Sequence, residues 1–86
     1  MAKIEIYTTT ICPYCVRAKN LLKQKNVDFQ EINVENSDLR DAMIKKTGGA
    51  RSVPQIFIND QHIGGSDDLY ELERKGELDG LLSSLA

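Results

Sequence analysis

Residues 8–22 read TTTICPYCVRAKNLL, and a change of rhythm inside this stretch decides how the chain is organised. Around its start, residues 3–8 alternate, with Ile4 and Ile6 on one side and Glu5 on the other, the two-residue period of a half-buried strand. From Pro13 the apolar residues Val16, Ala18, Leu21 and Leu22 fall close to one helical stripe, and Arg17, Lys19, Asn20 and Lys23 fall mostly outside it. Proline is tolerated at the first position of a helix, because the N–H it lacks would have no acceptor there. The stretch is therefore strand, loop and helix, with the chain's two cysteines, Cys12 and Cys15, at the seam.

Working outward, residues 27–34 read as a second strand carrying Phe29, Ile32 and Val34. Ser37 or Asn36 is a suitable cap for a helix through Lys46, which Thr47-Gly48-Gly49 stops; the acids of the run ENSD are a solvated helix start. After the loop GGARSVP, residues 55–58 form a short apolar strand, and Asn59-Asp60 is a two-residue turn into residues 61–63. Gly64-Gly65 leads to Ser66, a good N-cap, and to a helix over residues 66–75; a last short helix spans about residues 77–85, with its leucines in the core. The order is βαβαββαα, an α/β arrangement. Strand–helix–strand implies two parallel strands joined by a right-handed crossover. The closing hairpin extends the same sheet to four strands, with helices on both faces.

With 86 residues and no repeat, low-complexity tract or linker, residues 1–86 are expected to form one domain with a small core. The 41% hydrophobic and 28% charged content is that of an ordinary globular protein, and no apolar run approaches the ~20 residues of a membrane span. MAKIEIYTT lacks the features of a secretory signal, so a cytoplasmic, reducing location is expected. Net charge is −2, and lysines and arginines are interspersed with acids; nucleic acid, which demands a basic stripe, is not the expected partner.

A lone cysteine is more often core than catalyst, but a CxxC pair at a helix start argues for chemistry. A closed structural zinc site needs four ligands, and the chain offers two thiols and one histidine, His62, so no metal is expected. The ring that a structural disulfide would close is too short to constrain much of the unfolded chain. With Pro13 as first helical residue, Cys12 is the N-cap and its sulfur faces the amides of Tyr14 and Cys15. Amides and the positive helix end favour thiolate, the attacking form, while Cys15, one turn further in, resolves the mixed disulfide. Cys12 is the expected nucleophile and Cys15 its partner. His62 is expected to be an exposed strand residue without a catalytic triad.

The run Cys12-Pro13-Tyr14-Cys15 after a strand, Ser52-Val53-Pro54 before the third strand, and Gly64-Gly65-Ser66-Asp67-Asp68 after the fourth resemble the glutaredoxin family, in particular its small bacterial dithiol members. Nearly the whole chain is covered, and the three motifs in this order are far more specific than CxxC alone. The resemblance implies a thioredoxin-like fold and a glutathione-dependent oxidoreductase that reduces protein disulfides and glutathionylated proteins, with ribonucleotide reductase among the candidate substrates. It implies glutathione as reductant and a monomer. It also implies a cis peptide before Pro54, placing Val53 and Pro54 beside Cys12. By the same resemblance the Val53 backbone pairs with the cysteine portion of glutathione, and Tyr14 lines its groove. Gly65, Ser66 and Asp67 hold the γ-glutamyl end, amides taking its carboxylate and Asp67 facing its ammonium.

Several positions depart from the family pattern. Thr9 stands where many members have lysine, Ala50 where a basic residue is frequent, leaving Arg51 as the nearest basic candidate; Ser52 replaces threonine, and Ser66 stands where some members have a further cysteine. Three alternatives stay open: a redoxin reduced by thioredoxin reductase, an iron–sulfur carrier ligated by Cys12 and glutathione from two protomers, and a module that only binds partners.

Overall fold

In a computed structural model of the chain, residues 3–83 are described. Strand β1 (Ile4–Thr8) leads into helix α1 (Pro13–Gln24), strand β2 (Gln30–Asn33) and helix α2 (Ser37–Thr47). The hairpin β3 (Gln55–Ile58) and β4 (Gln61–Gly64) follows, then α3 (Ser66–Arg74) and α4 (Leu78–Ser83). The sheet order is β2-β1-β3-β4, with β1 parallel to β2 and antiparallel to β3, and β3 antiparallel to β4. This is the expected mixed four-stranded sheet. The hairpin turns on Asn59 and Asp60 with φ of 52° and 67°, the positive pair that a two-residue turn of matching twist requires.

Strands β1 and β3 divide their side chains between two cores. Ile4, Ile6, Ile56 and Ile58 pack with Ala18, Leu21, Leu22, Leu69, Leu78 and Leu82, so α1, α3 and α4 cover one face. Tyr7 and Phe57 meet Val34 and Met43 on the other face, under α2, with the two rings edge to face at 5.8 Å. Lys25 at the end of α1 ties that helix to Glu73 of α3 (2.7 Å) and Asp79 of α4 (2.8 Å). Hydrogen bonding to Asp79, then to Glu73, holds its ammonium charged above the ordinary lysine range. Across the sheet, Lys46 of α2 pairs with Glu5 of β1 at 2.8 Å, and that bond raises the lysine likewise. Among the described residues, no helix is long and apolar enough to cross a membrane.

Five expectations need correction or narrowing. Val16 does not belong to the buried stripe: it is exposed, and Cys15 joins Ala18, Leu21 and Leu22 instead, because positions 15, 18 and 22 recur on one face at 100° per residue. The second strand begins at Gln30, opposite Glu5, not at residue 27; Val27 and Phe29 pack against the first core without a strand partner. The N-cap of α3 is Gly65, not Ser66, which is the first helical residue; the Asp68 carboxylate accepts a hydrogen bond from the Gly65 amide at 3.0 Å. For α2 the cap is Asn36, whose side chain accepts from the Leu39 amide at 3.0 Å. The expected last helix begins at Leu78, and the part of it beyond residue 83 lies outside the described residues.

Candidate active site

Cys12 caps α1 in extended backbone conformation, so its carbonyl accepts the first helical bond, from Val16 at 3.1 Å, while its side chain bends back over the helix end. Of the two amides expected to face the sulfur, that of Cys15 makes the bond, donating to Cys12 Sγ at 3.1 Å. Cys12 and Cys15 are joined in a disulfide, with Cα atoms 5.1 Å apart. Cys15 is buried and Cys12 half-buried, so an approaching molecule meets Cys12 first. Close to it in the chain, Ile11, Tyr14 and Val16 are exposed.

The loop before Cys12 is fastened from outside the site. The Thr10 amide and hydroxyl donate to the two Glu35 carboxylate oxygens at 3.2 and 2.8 Å, and Asn33 Nδ2 donates to the Thr10 hydroxyl at 3.1 Å. The Thr10 hydroxyl, above all, holds the Glu35 carboxyl below the usual carboxylate range. The residues between β1 and α1 are thereby tied to the connection between β2 and α2.

Sheet topology brings the remaining pieces to Cys12. Because β3 runs antiparallel to β1, the segment before β3 lies at the same border of the sheet as the segment after β1. Because β4 is antiparallel to β3, the segment after β4 reaches that border too. The Val53–Pro54 peptide is cis, as expected, and the Val53 carbonyl oxygen lies 4.0 Å from Cys12 Sγ. Gly65 sits so close to this segment that a Cβ on it would stand 3.4 Å from the Pro54 carbonyl oxygen. Gly64, at φ 118°, has no room for a Cβ at all, since the Asp68 carboxylate occupies the place.

Between these segments runs a groove of about 410 Å³ that contains all six of the expected binding residues: Tyr14, Val53, Pro54, Gly65, Ser66 and Asp67. Ser66 Oγ is buried and, among the described residues, has no hydrogen-bond partner. It stands at the start of α3, where first-turn amides have no acceptor within the helix. Thr9 and Arg51 do not line the groove, and Arg40, which donates to the carbonyls of Val34 and Arg51 at 3.4 and 3.1 Å, is engaged with backbone. The charged lining is acidic, Asp67 and Asp68.

Two groove residues were not anticipated: Gln55 and His62. His62 is exposed as expected, yet its ring stacks on Phe57 (4.9 Å, 24°) and its Nε2 lies 2.7 Å from Gln55 Oε1. The hairpin register contains the signal. A two-residue turn pairs Phe57 with His62, and period two then puts Gln55, Phe57 and His62 on one face.

The family model described as Glutaredoxin matches residues 4–63. Glutaredoxin 3 of Escherichia coli is 57% identical over 83 residues, covering 95% of this chain and 99% of that protein. A probable glutaredoxin of Synechocystis is 56% identical over 84 residues, 96% of each chain. Among solved structures, that of a buckwheat glutaredoxin–glutathione complex superposes with a TM-score of 0.86 at 35% identity, covering 95% of this chain and 77% of that one.

Proposed function

The chain belongs to the glutaredoxin family and with it to the thiol–disulfide oxidoreductases, and from this we propose that it is a glutathione-dependent reductase of protein disulfides and glutathionylated proteins. Residues 1–86 act as one domain and as a monomer, in a cytoplasm whose glutathione keeps thiols reduced. Cys12 is the nucleophile. Its thiolate attacks one sulfur of a substrate disulfide, forming a mixed disulfide and releasing the other sulfur as thiolate. Cys15 then attacks Cys12 Sγ, closing the Cys12–Cys15 disulfide and releasing the second substrate thiol. One glutathione thiolate reopens that disulfide at Cys12, and a second attacks the glutathionyl sulfur, leaving the dithiol and oxidised glutathione. For a glutathionylated substrate, only the attack at Cys12 and the final glutathione step are required.

The observation that carries this reading is the groove itself, lined by Tyr14 from the start of α1, by Val53 and Pro54, and by Gly65, Ser66 and Asp67 at the start of α3, with the half-buried Cys12 sulfur 4.0 Å from the Val53 carbonyl oxygen. The Cys15 amide favours negative charge on Cys12. The start of α3 suits a carboxylate, received by the Ser66 and Asp67 amides, and Asp67 suits an ammonium. The γ-glutamyl end of glutathione carries both. The Val53 backbone pairs with the cysteinyl portion, Pro54 has no N–H to compete for it, and Tyr14 closes the side. The buckwheat glutaredoxin was solved as a complex with glutathione, which supports the same ligand.

The test is a coupled assay that follows NADPH consumption with glutathione, glutathione reductase and a glutathionylated peptide. Cys12→Ser is expected to be inactive and Cys15→Ser to retain deglutathionylation. An inactive wild type that is reduced by thioredoxin reductase would replace glutathione with that enzyme as the electron source.

A further inference from the structure

Ser52, Gln55 and His62 line the groove, yet none has a part in the exchange steps. Gln55 is buried at the start of β3, and its Nε2 donates back to the Ser52 carbonyl at 3.0 Å and to the Ser52 hydroxyl at 3.3 Å. A backbone carbonyl only accepts, so this side of the amide is the NH2 and Gln55 Oε1 faces His62. An amide oxygen also only accepts. His62 Nε2 therefore carries the proton and donates across 2.7 Å. The imidazole is in turn fixed by stacking on Phe57, which is buried in the second core.

The result is a directed chain of bonds from β4 through β3 to the segment carrying the cis Val53–Pro54 peptide. It starts on a packed aromatic ring and ends on the residue preceding Val53, whose carbonyl lies 4.0 Å from Cys12 Sγ. A connecting segment without such a brace samples several backbone positions, and binding weakens when the groups that receive a ligand are not held in place.

We propose that Gln55 and His62 are positioning residues for the reaction, a strut that holds Ser52 and Val53 so that the Val53 backbone meets the glutathione portion of the substrate beside Cys12. This rests on the glutathione reading above and adds residues that act through Ser52, without contact to the reacting sulfurs. Their loss is therefore felt in binding more than in the chemical step.

The experiment measures KM and kcat for the glutathionylated peptide in wild type, Gln55→Leu, His62→Ala and His62→Gln. The last variant keeps an N–H able to donate to Gln55. The expected result is a KM raised about fivefold in Gln55→Leu and His62→Ala, the equivalent of one hydrogen bond. The fall in kcat is smaller than the rise in KM, and most of the KM is recovered in His62→Gln. An unchanged KM, a kcat loss as large as the KM change, or no recovery in His62→Gln overturns the proposal. Should His62→Ala fail to fold, the 15N spectrum of wild-type His62 decides: the neutral ring protonated at Nε2 supports the strut, and at Nδ1 overturns it. A wild type that reduces a small disulfide with dithiothreitol but does not turn over the glutathionylated peptide overturns the glutathione reading and the strut with it. Turnover by wild type with unaltered KM in the variants overturns the strut alone.

Discussion

Thr8→Val removes one hydroxyl from a fully buried position at the last residue of β1, four residues before Cys12. The Thr8 hydroxyl donates to Glu31 Oε2 of β2 at 2.7 Å, and Lys19 Nζ of α1 reaches the same oxygen at 3.0 Å. The three elements that place the nucleophile are thus latched by one carboxylate. Valine keeps the shape, so no cavity opens, and the change isolates the hydrogen bond. A bond to a charged acceptor contributes about 1.5–3 kcal/mol when buried. The Glu31 side chain is 41% exposed and Lys19 remains, so water recovers part of the loss; about 1 kcal/mol is expected. In a domain of this size that lowers the melting temperature by about 4–8 °C.

The pH dependence separates this cause from lost packing. The Thr8 hydroxyl, followed by Lys19, holds the folded-state Glu31 carboxyl below its ordinary value of 4.5. A depressed folded value gives stability that is fully present above the unfolded value and is lost as pH falls through the folded one. Removing the hydroxyl lets the folded value rise toward the ordinary one, so the gap between wild type and Thr8→Val is widest at neutral pH and narrows in acid. Urea unfolding of both proteins at neutral pH and at about pH 3 measures it. A gap of the same size at both pH values refutes the carboxylate as its origin.

Leu69→Ala, at a position with no exposure in the first core, is expected to cost about 2–5 kcal/mol, read as a lower urea midpoint at unchanged slope. A loss under about 1 kcal/mol would contradict its place between α3 and the sheet. Gly64→Ala places a Cβ where the Asp68 carboxylate lies, at a φ of 118°, and is expected to cost about 1–3 kcal/mol and to raise the KM for the glutathionylated peptide. An alanine variant with wild-type stability and KM would show that Asp68 and the start of α3 relax without consequence.

Much of the fold is legible because its signals are local. Proline after Cys12, Asn59-Asp60 between two apolar runs and Gly48 (φ 75°) after α2 each mark a boundary by their own backbone preferences. The misreadings occur where a residue's place depends on its neighbours in space. Val27 and Phe29 alternate as a strand would, but the ladder starts only where β1 offers a partner, at Glu5 opposite Gln30. Ser66 has the chemistry of a cap, yet Gly65 occupies the turn out of β4 while Asp68 satisfies its amide. The cysteine pair was legible as a site from its position at a helix start. Gln55 and His62 were not, because neither residue type marks a groove until the sheet decides which face borders it.

The placement of charge in the site follows from strand direction. With β1 and β4 ending, and β3 beginning, at one border of the sheet, α1 and α3 both start there. Residues at both helix starts, Tyr14 of α1 and Gly65, Ser66 and Asp67 at that of α3, line one groove, and each helix start carries a partial positive charge. One holds the sulfur of Cys12 through the Cys15 amide, and at the other lies the buried Ser66 hydroxyl, without a hydrogen-bond partner among the described residues. In the proposed reaction one anion is the thiolate and the other the ligand's carboxylate, and backbone receives both. Helix amides are fixed by the fold, whereas a lysine side chain must be ordered to do the same work and is screened when exposed. A chain with threonine at position 9 and alanine at position 50 therefore keeps the two anion-receiving ends that the proposed exchange uses. The acids at Asp67 and Asp68 leave the intervening groove suited to a ligand that is positive as well as negative.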